Sequence, residues 1–390
     1  MVMMGVLITT SVRISNLTPK LDTSGTIVNG HDGTYRLING RWYYHAAEYG
    51  LCPEPNPHGC SGSQSHGCGF HGDHNVSIWR SPDLSSGSWE RVGTAAHCAS
   101  DVPDCGIMYR PHLVQHPRTH GFLLYVNYVR KDGGYGGNAV LSAPAPEGPF
   151  RLENAAMNLA RLCPGPAAQV PCGAAQGGAG DFDVFVDPMD GVAYIVYGAN
   201  FWLSIEQLTP DMLNSTGQNA SWVSGPFGGS VSSNYFVEAP AMFERNGTYY
   251  VLYGHCCCFC YQGSGIMVAT ARHPMGPWSV LPGDLACVDN ATSVPAVSRP
   301  GGTPTPGQGC LYGGKSQIST TRAQQNFVIS VPSSDGGVTF IWTGDRWQQA
   351  PDGVKGHEGQ FWTPLHFDAE GLIGDVQWVD EFELPASGIV

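Results

Sequence analysis

One unit recurs along this chain: an apolar strand, a turn of Asn, Asp or Gly, a Tyr-rich return strand, and a shorter edge strand closed by a Gly-Pro-aromatic or Leu-x-Trp phrase. Its clearest copy starts at Glu238, runs through Ala239-Pro240-Ala241-Met242-Phe243, turns at Asn246-Gly247 and leaves through Thr248-Tyr249-Tyr250, closing at Gly276-Pro277-Trp278. Asn-Gly between two strand-like runs is the strongest short hairpin signal, since both turn residues take positive φ. A first copy runs from Asp32 through Asn39-Gly40 to Tyr43-Tyr44, with an edge strand at Ser77–Leu84 leading to Trp89. The second begins at Arg110-Pro111 and closes at Gly148-Pro149-Phe150. A third spans Asp181 to Asp187, Asp190-Gly191 and Ala193–Tyr197, and a looser fifth runs from Gln317 to Gly344-Asp345-Arg346-Trp347. Units of roughly 50–70 residues with several strands each are the pattern of propeller blades. Five of them predict an all-β chain folded as a five-bladed β-propeller, with a β-sandwich as the alternative. The 52 glycines, 29 prolines and only 13% charged residues suit many short strands joined by tight turns. In domain terms, residues 1–27 read as an N-terminal extension and 28–390 as a single propeller domain, with a Cys/His-rich insertion at 52–74.

A net charge of −13 without a basic cluster argues against a nucleic-acid partner. No segment is long and apolar enough to span a membrane, and a monomer is expected. Thirteen cysteines fall largely in close sets: Cys52/Cys60/Cys68, Cys98/Cys105, Cys163/Cys172, Cys256-Cys257-Cys258 with Cys260, and Cys287/Cys310. Asn-x-Ser/Thr sequons stand at Asn16, Asn75, Asn214, Asn219, Asn246 and Asn290. Together they point to a secretory route with loop disulfides and glycosylation. Met1 to Thr10 lacks the charged start and cleavage site of a signal peptide, so the N-terminus reads as truncated or mis-started.

In a propeller the innermost strand of every blade starts at one end of the central channel, so residues at those starts converge. Asp32, Arg110, Asp181, Glu238 and Gln317 occupy that place. Acids on different blades, facing each other across a sugar-sized hollow, supply what an inverting glycosidase needs: a general acid on the leaving oxygen and a general base that activates water. On these residues the chain resembles glycoside hydrolase family 43 over roughly Val28 to Glu383, nearest its exo-β-1,3-galactanase-like branch. The phrases that carry the likeness are Glu238-Ala239-Pro240, Asp181 ahead of Val184-Phe185-Val186-Asp187, Arg110-Pro111, Ser316-Gln317, Gly344-Asp345-Arg346-Trp347 and Ala47-Glu48-Tyr49-Gly50.

The resemblance implies that Glu238 is the general acid and that Asp181 orients it and raises its pKa, with Asp183 as the alternative because Gly180 replaces the usual Arg. For the base it offers two positions, Asp32, eight residues before Gly40, and Gln317. It assigns substrate contacts to Arg110, Glu48, Arg346, Trp347 and His31, and to Tyr109, where the galactanase-like branch carries Glu. No cofactor is required; a structural calcium in the central channel near His31 is the one ion the likeness allows. The expected function is an inverting, exo-acting glycosidase on neutral oligo- or polysaccharide of β-1,3-galactan, arabinan or xylan type. A glycan-binding propeller without a competent base is the alternative. Thr94-Ala95-Ala96-His97-Cys98 copies the histidine phrase of serine proteases, but no serine in the matching glycine-rich context follows. His58, Cys60, His66, Cys68, His71 and His74 have zinc-like spacings, though an oxidising route favours disulfides for the cysteines.

Overall fold

The computed structural model describes residues 11–49, 75–160, 180–199, 202–217, 221–222, 237–254, 263–288, 310–312, 315–333 and 336–385. Strand β1 (Ser11–Ser15) precedes the first blade, formed by β2 (His31–Ile38), β3 (Arg41–Glu48), β4 (Asn75–Ser81) and β5 (Glu90–His97). A one-turn helix, Cys98–Asp101, leads to the second blade: β6 (Cys105–Gln115), β7 (Phe122–Arg130), β8 (Tyr135–Ala143) and β9 (Arg151–Asn154). The third holds β10 (Phe182–Val186), β11 (Ala193–Ala199), β12 (Trp202–Gln207) and β13 (Ser221–Trp222). The fourth holds β14 (Glu238–Arg245), β15 (Thr248–Gly254), β16 (Met267–Ala271) and β17 (Ser279–Val280). A small sheet of β18 (Cys287–Val288), β19 (Cys310–Tyr312) and β20 (Lys315–Ser319) comes next. The fifth blade is β21 (Gln324–Pro332), β22 (Val338–Asp345) and β23 (Gln360–Pro364), after which β24 (Glu381–Pro385) pairs with β1. Every blade is an antiparallel meander in sequence order, as the predicted five-bladed propeller requires.

Among the described residues, every junction between neighbouring blades is filled by apolar side chains, and together they close the ring. Tyr43 and Ile78 of the first blade pack with Leu113 and Leu124 of the second. Leu123 and Tyr125 meet Phe182 and Ile195, Val196 meets Met242 and Val251, and Phe243 and Tyr250 meet Phe340 and Trp342. Ile329 and Trp362 of the fifth blade then return to Tyr35, Tyr44 and Trp89 of the first. Inward and outward side chains alternate along each strand, so both faces of a blade are apolar, and each face is buried against the next blade.

Within the segment read as an N-terminal extension, residues from Ser11 onward are tied into this closure. β1 pairs with β24, Leu21 bridges Ile27, and Asp22 bridges Trp89. The Asn16 carboxamide donates to Trp362 O at 2.8 Å and accepts from Trp362 N at 2.9 Å, the pair of bonds a neighbouring strand would make on the edge of β23. Its amide nitrogen also reaches Val379 O at 2.8 Å. Covering a free edge in this way removes a template for unwanted strand pairing. It also corrects one sequon: Asn16 is 3% exposed with its side chain fully engaged, and is closed to a glycan. Asn246, at the exposed tip of the fourth hairpin, is open to one. The disulfide Cys98–Cys105 forms as expected, and Cys287 is also disulfide-bonded. Cys52, Cys60, Cys68, Cys163, Cys172 and Cys256–Cys260, with the His/Cys insertion at 52–74, lie outside the described residues.

One local device positions the channel mouth. Each innermost strand carries a one-residue bulge near its start. In β2 it falls between His31 and Thr34, in β6 between Tyr109 and His112, in β14 between Glu238 and Ala241, and in β21 between Gln325 and Phe327. Ahead of β10, Gly180 N bonds Gly198 O and Gly198 N bonds Asp181 O, which makes Asp181 the extra residue there. A bulge bends the strand and re-aims a side chain, at the cost of an unusual backbone angle. Asp32, Arg110 and Ala239 accordingly take φ of 56°, 50° and 52°. Gly33 has no alternative, since a Cβ there would lie 2.0 Å from His45 O.

Candidate active site

Arg110 stands at the centre of the five bulges, 2% exposed. Its Nη2 donates to Asp181 Oδ2 at 2.9 Å and its Nη1 to Asn326 Oδ1 at 2.7 Å. Nε lies 3.9 Å from Asp32 Oδ1, and Nη1 3.9 Å from Asp345 Oδ2. Carboxylates from the first, third and fifth blades therefore surround one guanidinium. Burial works against that charge, but Asp181, Asp32 and Asp345 outweigh it and hold Arg110 firmly protonated. Three acids against one buried cation leave excess negative charge. Burial, reinforced by the charge of Asp32 and opposed by Arg110, pushes the Asp345 carboxyl up to about 8. Burial also raises Asp181, with Arg110 opposing and Asp32 adding to it.

Glu238 opens β14 beside Asp181 and keeps partial exposure. The Gln324 side-chain amide links the two, donating to Glu238 Oε2 at 3.2 Å and to Asp181 Oδ2 at the outer limit of 3.5 Å. Gln324 is itself held by Trp347, whose Nε1 donates to Gln324 Oε1 at 2.6 Å. Trp347 stacks on His31 with ring centres 5.1 Å apart and planes 15° from parallel. A buried ion pair, Lys355 Nζ to Glu358 Oε2 at 2.6 Å, supports the stack, with Lys355 Nζ 4.4 Å from the centre of the Trp347 ring. His31 Nε2 sits 3.2 Å from Lys355 O, and burial lowers its pKa so that the ring stays neutral. Across the mouth, Tyr49 donates to Asp32 Oδ2 at 2.6 Å, while the buried Asp32 Oδ1 has no hydrogen-bond partner among the described residues. On the second blade Asn127 donates to the Tyr135 hydroxyl at 3.0 Å; burial and the charges of Asp181 and Glu238 push that phenol well up.

The residues at these strand starts make a mouth ringed by hydrogen-bonding groups, with one partly exposed acid, Glu238, open to a molecule bound there. A calcium ion does not fit where the carboxylates meet, because the cation they share is Arg110. Among the described residues no group of three or more His, Cys, Asp or Glu side chains is arranged to hold a metal.

Residues 63–303 of the chain match the family described as glycosyl hydrolases family 43. The chain belongs to glycosyl hydrolase family 43. Family membership and the propeller together make it a glycoside hydrolase, acting on glycosidic bonds. No curated protein matches it. Among solved structures, the exo-β-1,3-galactanase from Clostridium thermocellum superposes with a TM-score of 0.68 at 22% identity, covering 97% of this chain and 68% of that one. A β-1,3-galactosidase of the family, solved with galactodeoxynojirimycin, gives 0.65 at 20% identity over 94% and 99%. The exo-β-1,3-galactanase from Phanerochaete chrysosporium, solved with galactose, gives 0.64 at 19% identity over 97% and 70%. At these identities the likeness establishes the fold.

Of the residues singled out in the sequence, the family 43 propeller brings Glu238, Asp181, Arg110, Asp32, Trp347 and His31 together. Tyr109 shares the rim, partly exposed, close enough to Tyr49 and Tyr135 to couple with them electrostatically. Four expectations are corrected. Glu48 turns outward and takes Arg91 in a two-point ion pair at 2.8 and 3.1 Å. Arg346 points away from the mouth to Asn16 O and Gln349 Oε1. Asp183 is 1% exposed, bonded by Met242 N at 2.8 Å and 3.2 Å from His112 Nδ1, so it ties blades rather than facing the channel. Gln317 lies on β20 in the small sheet; the innermost strand of the fifth blade begins at Gln324.

Sequence reasoning missed Gln324, Asn326, Asp345, Tyr49 and Tyr135. For Gln324 a signal existed. The interval from Glu238 to its turn at Asn246 is matched closely by Gln324 to the turn at Ser333, whereas from Gln317 it is twice as long. Nothing local marks Tyr49 or Tyr135, whose roles arise only from neighbouring blades. His97 of the protease-like phrase is exposed and bonded to Asn75, next to the disulfide.

Proposed function

We propose that this family 43 chain is an inverting, exo-acting glycosidase that releases sugar from neutral β-linked galactan. Glu238 is the general acid. Asp181, held by Arg110 and sharing the Gln324 amide with Glu238, orients that acid and keeps its proton in place through negative charge. On the opposite side of the mouth Asp32 is the general base, its Oδ1 taking the proton of the attacking water while Tyr49 fixes Oδ2. Gln324 positions and does not accept the proton, since an amide is not a base. Protonation of the leaving oxygen by Glu238 and attack of water on the far face of the sugar then invert the anomeric centre. One observation carries the reading: a single amide bridges a partly exposed glutamate and an Arg-held aspartate at a channel mouth. The galactan preference is supported by the activities of the three structural neighbours. Tyr109 and Tyr135 on the same rim supply flat faces for a neutral sugar.

The test is release of sugar from β-1,3-galactan and from aryl β-galactoside, β-xyloside and α-arabinofuranoside, with the anomer of the first product read by NMR. Galactose appearing first as the α-anomer is the expected result. A β-anomer would overturn inversion, and turnover confined to the xyloside or arabinofuranoside would overturn the galactan preference.

A second reading is favoured by one specific feature: Asp32 is 2% exposed and hemmed in by Tyr49, Arg110 and Asp345. If its carboxylate serves only that network, the propeller binds glycans without cutting them. Saturable binding of galacto-oligosaccharides with no turnover on any glycan in the panel would establish this instead.

A further inference from the structure

A cavity of about 570 Å³ lies outside the channel mouth, at the seam where the fifth blade meets the first. It backs onto the active site through consecutive residues: Trp347 faces Gln324 and the mouth, while Arg346 turns the other way and lines the cavity. Lys20, Arg322, His357, Gln349 and Asp380 line it too. In a chain of net charge −13, cations there outnumber the one lining carboxylate, Asp380, which is already engaged by Trp378 Nε1 at 2.8 Å.

Two of these cations, Arg346 and Lys20, have neutral partners, as Arg36, Arg118 and Arg272 do elsewhere, whereas His357 pairs with Asp352 at 2.7 Å. Arg13, Arg80, Arg91, Arg110 and Arg130 each lie against a carboxylate. Among the described residues Arg346 holds neutral oxygens: Nη1 donates to Asn16 O at 3.0 Å, while Nε and Nη2 both donate to Gln349 Oε1 at 3.2 Å. That Nε/Nη2 edge is the fork that binds a carboxylate through two parallel bonds, and one amide oxygen fills it here. Lys20 Nζ likewise has a neutral partner, Tyr35 OH at 3.1 Å, and lies 4.1 Å from the centre of the Trp362 ring. Burial, then the charge of Arg322, lowers Arg346 to about 10, and burial lowers Lys20 to about 7. Charge held in a partly buried groove against neutral acceptors is stabilised by an arriving anion. The volume suits a sugar-sized ligand, and the lining mixes such polar groups with Ile14, Leu84 and Trp362.

We propose that this seam cavity binds a saccharide bearing an oxyanion, a uronic acid carboxylate or a sulfate ester, on the fork of Arg346 with Lys20 completing the charge. The anion displaces Gln349 Oε1 from the fork. This proposal does not depend on the hydrolytic reading, because its readout is binding.

Titration calorimetry with glucuronic- and galacturonic-acid oligosaccharides, galactose 6-sulfate and a neutral galacto-oligosaccharide tests it and separates the two oxyanion sources. An acidic sugar should bind at least about tenfold more tightly than the neutral one, and lose affinity in added salt as a charge-assisted contact does. Arg346→Gln should weaken that binding by about tenfold or more and leave turnover of an aryl glycoside unchanged. Should Arg346→Gln fail to fold, Lys20→Gln supplies the same comparison. Equal affinity for acidic and neutral sugars, no saturable binding of either acid, or full acid binding in a folded variant would each overturn the proposal.

Discussion

The two flanks of the channel mouth are built from the same parts and differ in what they leave free. On the third- and fourth-blade side, Asp181 and Glu238 share one amide, and Glu238 keeps contact with solvent. On the first- and fifth-blade side, Asp32 and Asp345 are 2% and 0% exposed, packed against each other, Arg110, Tyr49 and Gln360. Both flanks draw on the same guanidinium. Proximity to Arg110 therefore does not mark out an acid for chemistry; access does. The open flank is suited to giving up a proton to a bound molecule, and the closed flank to holding geometry and accepting a proton from a small one such as water.

The sharpest way to break this comparison is to neutralise one acid on each flank. Glu238→Gln should lower kcat for β-galactan about 10²–10⁴-fold, the usual worth of a positioned acid, with little change in melting temperature. Asp32→Asn should cost as much if it is the base. If Asp32→Asn instead lowers the melting temperature and spares kcat per folded molecule, the closed flank is structural and the base assignment fails.

Next in size is loss of the shared cation. Arg110→Met leaves Asp181, Asp32 and Asp345 buried together without a counter-charge. Breaking a buried pair this way typically costs about 3–5 kcal/mol, so chemical denaturation should show a large drop. A change under about 1 kcal/mol would mean that the acids are compensated some other way. Gln324→Ala is milder. It removes a link between Asp181 and Glu238 and leaves Trp347 Nε1 without its acceptor, worth about 1–3 kcal/mol. The loss should fall on kcat more than on KM, because the amide aligns the acid rather than gripping the sugar.

How far the sequence could reach follows the same division. Hairpins announce themselves through Asn39-Gly40, Asp190-Gly191 and Asn246-Gly247, because a tight turn must be made by adjacent residues. The strand starts that follow from those turns, Asp32, Asp181 and Glu238, are legible for that reason, while Arg110 is marked by the Arg110-Pro111 phrase instead. The fifth blade lacks such a turn, and counting from Ser316-Gln317 set its start one β-strand too early. Side-chain direction was less legible still. Glu48 and Arg346 stand within a few positions of the mouth, yet Glu48, the last residue of β3, faces Arg91, and Arg346, just past the end of β22, faces the seam. Asn16 reads as a glycan acceptor only until the edge of β23 is seen beside it.

The subtlest test concerns the closed flank and pH. Asp345 is raised to about 8 by burial and by Asp32, against an ordinary carboxylate value near 4 in the unfolded chain. Between those values the folded protein binds a proton that the unfolded chain has released. Stability must then fall as pH rises from about 4 to about 8, because the unfolded state binds fewer protons throughout that window. Below it both states are protonated and Asp345 contributes no slope. Asp345→Asn keeps the shape and removes the titration, so its stability should change little at acid pH. From about pH 5 to 8 it should lose the downward slope the parent retains, a difference read by urea denaturation at each pH. Parallel curves for parent and variant would mean that Asp345 does not hold the excess proton, and the closed flank would then have to be redrawn around a different acid.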